Sequence, residues 1–321
     1  MHLAVRTIML LGLAAGVACY RDGGTEPLAD GITRIFLTDA GFPFDAVSRV
    51  EVYVTEIAAS TQADTTAGAG AWVRLAAPHR AFDLLALQHG TTALLGEVRL
   101  PAGDYRAVRL SIDGDSSRIV WTAGGEARVR WPAAGEFTVH ARVDEAMAVP
   151  TEGTTIVIDI DVGTSFTNAI ADPLHDFLFV PFLRAVVVEA TGTLRGTVRG
   201  DVDGNGLLDP VTGAGLAVYR GDAGDPPSAW TLTATGHTDG AGAFVLGFLL
   251  AGTYIVQADA PAELTLGSLT AAHVTVAAGQ DVSLPLVLPR LGASAPDLTV
   301  DGGTAAAPAT PQPAEQSRSP R

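Results

Sequence analysis

The sequence predicts an all-β protein made of two Greek-key β-sandwich domains, of immunoglobulin or transthyretin type. Three observations point there. Apolar and polar residues alternate at period two, Gly- and Pro-containing turns separate the alternating runs, and a second complete strand pattern starts near residue 190. The chain has 321 residues, 47% of them hydrophobic, which suits two modest cores plus tails.

Ahead of the first strand the chain reads as an export segment. Arg6 supplies one positive charge, and an apolar run follows from Ile8 through Ala18 to Cys19. A membrane-spanning helix needs about 20 apolar residues, so this run is too short to span and has the length of a signal h-region. Gly16-Val17-Ala18-Cys19 resembles a lipobox, with Gly16 where Leu is most usual. Cys19 is the only cysteine, which removes any internal disulfide or Cys-rich zinc site. Its place at the cleavage junction makes it the expected lipidation site. Residues 1–18 are read as signal peptide and 19–30 as a flexible tether. Tyr20 stands where an Asp would retain an enterobacterial lipoprotein in the inner membrane, which favours the outer membrane. The greasiest later stretch, Phe177 to Val188, is interrupted by Pro181 and Arg184.

Residues 31–190 form the first expected domain. Val50, Val52 and Val54 alternate with Glu51, Tyr53 and Thr55, and Val108, Leu110 and Ile112 with Arg109 and Ser111. Phe137, Val139, Ala141 and Val143 repeat the pattern. Ile156, Ile158, Ile160 and Val162 alternate with Asp159 and Asp161, which places those two acids on a solvated face. Leu84, Leu85 and Leu87 suggest a short helix near Asp83 to Gln88. Several segments in this order resemble the family known as domain of unknown function 4382. They are Leu37-Thr38-Asp39-Ala40, Phe44-Asp45-Ala46-Val47, Trp72-Val73-Arg74-Leu75, Phe82 to Gly90, Leu94-Leu95-Gly96 and Leu100 to Tyr105. The resemblance implies an extracytoplasmic, usually lipid-anchored β-sandwich, and it implies no reaction.

Residues 191–290 form the second. Strands are expected at Leu194 to Arg199, Leu216 to Tyr219, Trp230 to Ala234, Ala243 to Leu246, Tyr254 to Ala258, His273 to Val276 and Val282 to Leu288. Ala251-Gly252-Thr253-Tyr254 echoes Ala102-Gly103-Asp104-Tyr105, and each Tyr is placed to pack its ring and bond backbone at a sandwich corner. Gly196-Thr197-Val198, the Asp201 to Asp209 loop, Gly215 to Val218, Thr238 to Phe244 and Leu250 to Tyr254 resemble the B-type repeats of Gram-positive adhesins. They are also similar to the regulatory domain of carboxypeptidases. Adhesins of that group form Lys–Asn isopeptide bonds, and this chain contains no lysine. What the resemblance implies is a rigid spacer or binding module. Residues 291–321, rich in Ala, Pro, Ser and Gln, are expected to be a disordered tail.

The one segment with a metal-binding pattern is the Asp201 loop. Asp201, Asp203, Asn205, Leu207 through its carbonyl, and Asp209 occupy positions one, three, five, seven and nine of an EF-hand-type calcium loop, with Gly206 at six. Thr212 stands where the bidentate Glu belongs, so any calcium is expected to be weak and structural, against the simpler reading of an acidic turn. His175-Asp176 and Asp159 with Asp161 are considered as acid–base pairs and set aside as structural or solvated. Arg128, Arg130 and Arg142, interleaved with Trp131, read as the exposed side of a strand pair.

The formal net charge of −15 argues against nucleic acid and against adhesion to anionic lipid through a basic patch. The expected function is that of a non-catalytic cell-envelope lipoprotein serving adhesion, scaffolding or ligand presentation. Its expected partners are the membrane through the N-terminal lipid, and a glycan or envelope protein. A second reading is a carbohydrate-binding accessory lipoprotein of an export or polysaccharide system, which exposed co-planar Trp and Tyr would favour. An enzyme would need convergent acids and a His in one pocket.

Overall fold

The computed structural model describes residues 30–40, 46–66, 68, 71–222, 224–291 and 298–299. The signal segment, the tether, Cys19, Phe44-Asp45 and nearly all of the tail lie outside them.

The first domain is a two-sheet sandwich. Its principal strands are β1 (Asp30–Ala40), β2 (Val47–Ser60), β3 (Ala93–Pro101), β4 (Ala107–Trp121), β5 (Glu136–Ala141), β6 (Met147–Val149), β7 (Gly153–Asp161) and β8 (Leu183–Val187). One sheet runs β8-β7-β1-β3, and the other is built on β5-β4-β2. Period two does what the pattern promised: Val50, Val52 and Val54 are fully buried from β2, and Val108, Leu110 and Ile112 from β4. They meet Ile35 and Leu37 of β1 and Ile156, Ile158 and Ile160 of β7 in one core. The short helix expected near Asp83 is a 3-10 turn over Leu84–Leu87.

The second domain repeats the scheme with β9 (Thr191–Gly200), β10 (Gly215–Arg220), β11 (Thr231–His237), β12 (Ala243–Leu250), β13 (Gly252–Asp259), β14 (Leu269–Val276) and β15 (Asp281–Val287). β9 lies between β12 and β15, and the facing sheet runs β11-β10-β13-β14. Its core, from Leu194 to Leu288, is separate from that of the first domain. In both domains the first strand pairs parallel with a late one, β1 with β7 and β9 with β15. Both corner tyrosines bond the carbonyl four residues upstream, Tyr105 to Pro101 at 3.0 Å and Tyr254 to Leu250. That shared device fixes the same strand-to-strand corner in each sandwich.

One reading of the alternation fails. Asp159 and Asp161 do not face solvent: they are 5% and 3% exposed. The residues of β7 from Ile156 to Asp161 are buried on both faces. The physical reason is that the outer face of the β8-β7-β1 sheet is covered by the second domain. A third apolar cluster marks the contact, with Val157 and Val186 packed on Leu250 and with Phe36, Val188 and Phe248 beside them. Alternation reports the two faces of a strand and cannot say that the second face meets another domain.

Candidate functional site

Register assembles the most charged buried place in the molecule. Pairing sets Phe36, Val157 and Val186 side by side across β1, β7 and β8, and two residues on it sets Thr38, Asp159 and Arg184 side by side. The first row makes the apolar contact with the second domain. The second row is polar and equally buried, with Arg184 only 6% exposed.

Arg184 holds the two domains together. Its Nε donates to Asp159 Oδ2 at 2.8 Å, and its Nη2 lies 2.7 Å from the same oxygen. Its Nη1 and Nη2 then cross to the second domain, donating to the carbonyls of Phe248 at 2.5 Å and Gly247 at 3.0 Å. Those carbonyls converge because β12 is irregular there: Leu194 of β9 faces Leu246, Gly192 faces Leu249, and Gly247 and Phe248 are left out of register. Phe248 has φ +58°, a left-handed backbone that costs a bulky residue about 1–3 kcal/mol and persists only where its surroundings enforce it. A guanidinium with fixed, forked donors is suited to enforcing it. Asp161 adds a second crossing, its Oδ2 accepting from the Thr235 hydroxyl at 2.5 Å, while its Oδ1 accepts from Thr164 N at 2.8 Å.

A third acid lies against this pair. Asp39, at the end of β1, is 4% exposed, and its Oδ1 accepts from Val162 N at 2.9 Å. Asp39 Oδ2 and Asp159 Oδ1 meet no hydrogen-bond partner. Both residues line a cavity of about 20 Å³ between the domains, with Thr38, Arg184, Thr235 and Gly247 around it, which is room for one water. Burial pushes the Asp39 carboxyl well above the ordinary carboxylate range, and the charges of Asp159 and Asp161 push it the same way. Burial also raises Asp161, opposed by its hydrogen bonds to Thr235 and Thr164. Of the three carboxyls, only Asp159 is paired with the Arg184 guanidinium.

The residues singled out in the sequence are used otherwise. His175 Nδ1 pairs with Asp172 at 2.7 Å, while Asp176 binds Arg128 at 2.9 Å, so His175 and Asp176 have different partners. Arg130 lies 3.6 Å from Asp172, and Arg142 reaches Asp144 at 2.8 Å and the Leu232 carbonyl of the second domain at 2.8 Å. Trp131 packs edge-on to Phe166 and against Phe179 instead of joining a cationic face. In the Asp201 loop, Asp201 Oδ1 accepts from Gly204 N at 2.8 Å and Oδ2 from Arg290 Nη1 at 3.1 Å. Asp203 accepts from Asn205 N and Nδ2, and Asn205 Oδ1 from Leu207 N. Gly204 has φ +82°, and a Cβ there would strike the Arg290 guanidinium at 2.6 Å. Among the described residues no three His, Cys, Asp or Glu side chains cluster closely enough to hold a metal.

Sequence reasoning missed Asp39, Arg184, Thr235 and Phe248. Two signals were present: an Arg inside the most apolar stretch, and acids inside a run of isoleucines. Each is costly to bury alone and so implies the other.

The fold and this junction define an all-β protein of two sandwich domains held side by side by hydrogen bonds from a buried, ion-paired arginine. Residues 30–181 match the family model described as "Domain of unknown function (DUF4382)", which ends just before β8. Curated proteins give no match. Among solved structures, the Bacillus anthracis TIE protein is 12% identical, with 82% of this chain and 34% of that one covered and a TM-score of 0.23. A streptococcal ancillary pilin is 18% identical, with 81% and 62% covered and a TM-score of 0.23. The minor pilin of Streptococcus agalactiae is 12% identical, with 84% and 100% covered and a TM-score of 0.24. The chain thus spans about a third of the first of these and under two thirds of the second. At such scores the overlaps carry no conclusion about role.

Two outcomes test the junction. Arg184→Leu leaves Asp159 buried without its partner and should cost about 3–5 kcal/mol in urea unfolding, whereas Arg184→Leu with Asp159→Leu should recover most of that loss. A double variant no more stable than Arg184→Leu would remove the ion pair from this role. Asp39 holds its proton more tightly folded than unfolded. Its contribution is therefore fullest below the ordinary carboxylate range and is lost as pH climbs through the raised value. Asp39→Asn should flatten the decline in stability as pH rises above the ordinary carboxylate range, read as urea midpoints across a pH series.

Proposed function

We propose that this chain is a non-catalytic cell-envelope protein that scaffolds or presents a ligand, held to the membrane by lipid on Cys19. The observation that carries the reading is the Arg184 clamp. It spends the buried charged groups of the molecule on fixing one domain against the other, which is what a rigid spacer requires. Asp159 and Asp161 are engaged by Arg184, Thr235 and Thr164, and His175 by Asp172, so these acids and this His have structural partners. The carbohydrate-binding alternative has less support. Tyr219 and Trp230 pair at 5.8 Å but with planes 52° apart, which makes no flat platform, and Trp72 is buried.

Lipid anchoring rests on the lipobox-like junction, with more than one acyl chain needed for stable attachment, and the outer membrane on Tyr20 in place of the retaining Asp. Mass spectrometry of protein extracted from native membranes should find a modified N-terminus at Cys19, and Cys19→Ala should move the chain to the soluble fraction. An unchanged location for that variant would refute the anchor and leave the two-domain scaffold standing.

Calcium at the Asp201 loop belongs to the same proposal in a weaker form. Arg290 already offsets the charge of Asp201, so a cation has to displace it, and an affinity no better than about 10⁻⁴ M is expected. Arg290→Ala should therefore raise the melting temperature gained in millimolar calcium over chelator, relative to the parent chain. Equal gains, or none in either protein, would reduce the loop to an acidic turn.

A further inference from the structure

The outer edge of β8 is followed by another segment for one residue and then left. Arg142 N donates to the Leu183 carbonyl at 2.7 Å, and Ala185 N donates to the Arg142 carbonyl at 2.9 Å. The chain then turns away into β6, which pairs instead with Gly103–Tyr105. Among the described residues β8 ends its sheet. Strand alternation puts the Ala185 carbonyl and the Val187 amide on the same outward edge as the groups Arg142 engages. The divergence opens a wedge of about 520 Å³ at the domain junction, within the size range of ligand sites.

The lining of the wedge is chemically one-sided. Met147, Val186, Val187 and Leu250, all under 10% exposed, give it an apolar wall. Glu145, Glu152 and Glu189 are exposed around it, and no Arg or His lines it. Glu189 is steadied by the Thr154 hydroxyl at 2.8 Å, and Glu145 lies 3.4 Å from Arg220.

We propose that this wedge is a docking groove for an extended segment of another protein, in which a short aliphatic run is flanked by Arg or Lys. The proposal deepens the scaffold reading and rests on it. A strand added along β8 takes main-chain hydrogen bonds from the open edge, and its alternate side chains fall to opposite sides. One set then meets Val186 and Leu250 on the face toward the second domain, the other meets Val187 and Met147, and basic residues flanking them reach the three carboxylates at the rim. A glycan packs its apolar ring face on aromatic side chains, and none lines this wall, while an acyl chain makes no use of the carboxylates or the strand edge.

The test is calorimetric titration of the full mature chain with a synthetic octapeptide of four Val flanked on each side by two Arg, and with its Glu-flanked counterpart. The basic peptide should bind one to one, and the acidic peptide should not bind. Ala148→Trp, at an exposed position lining the wedge, fills it without changing charge and should weaken binding at least tenfold at an unchanged melting temperature. The combined Glu145→Gln, Glu152→Gln and Glu189→Gln variant should do the same. Undiminished binding to Ala148→Trp means mere attraction to an acidic chain and overturns the groove, as does no saturable binding or tighter binding of palmitate than of the peptide. These results are independent of where Cys19→Ala localises, so the groove and the membrane anchor can fail separately.

Discussion

The Arg184 guanidinium is the constraint from which the arrangement of the molecule follows. It is rooted in the first domain by Asp159 and ends on two carbonyls of the second. A buried ion pair adds little net stability over an apolar pair of the same volume, because desolvating both charges offsets most of their attraction. What it does impose is geometry. Apolar contacts such as Val157 and Val186 on Leu250 tolerate sliding, whereas a planar guanidinium meets two particular carbonyls in one relative placement. The irregular Gly247-Phe248 step is the matching half, since a regular strand would not turn two successive carbonyls to the same donor.

Asp39 and Asp161 put this junction under electrostatic tension. The guanidinium pairs with Asp159 alone, so Asp39, its carboxyl pushed up by burial, rests on the Val162 amide, and Asp161 on the Thr164 amide and the Thr235 hydroxyl. That makes the junction sensitive to its surroundings in a way the two apolar cores are not.

Much of the fold was legible in the sequence because the signals were local. Alternation located the core faces of β2, β4 and β5, the Gly turns placed the corner tyrosines, and the composition change near Glu189 located the start of β9. The junction was not legible, because it is a property of the second face of a sheet. Asp159 and Asp161 look the same in sequence whether water or a domain covers them. Arg184 was read only as an interruption in a greasy stretch. Joining it to Asp159 requires the β7–β8 register, and joining it to Phe248 requires knowing which strand lies across the interface. The Asp201 loop shows another limit: its spacing fits a cation loop, but the Arg290 guanidinium beside Asp201, from far along the chain, is invisible to spacing.

The parallel pairing of β1 with β7 bears on the order in which the chain can acquire structure. Ile32 faces Gly153 and Ala40 faces Asp161, so the first strand to be synthesised has its parallel partner still far behind it. Non-local pairing of this kind is slow, because a large loop must close before any bond rewards it. The same delay recurs in the second domain, where β9 waits for β15. Each sandwich therefore closes late, from its last strands back onto its first. Until then the first strand of each sandwich keeps an open ladder edge on which its last partner must settle.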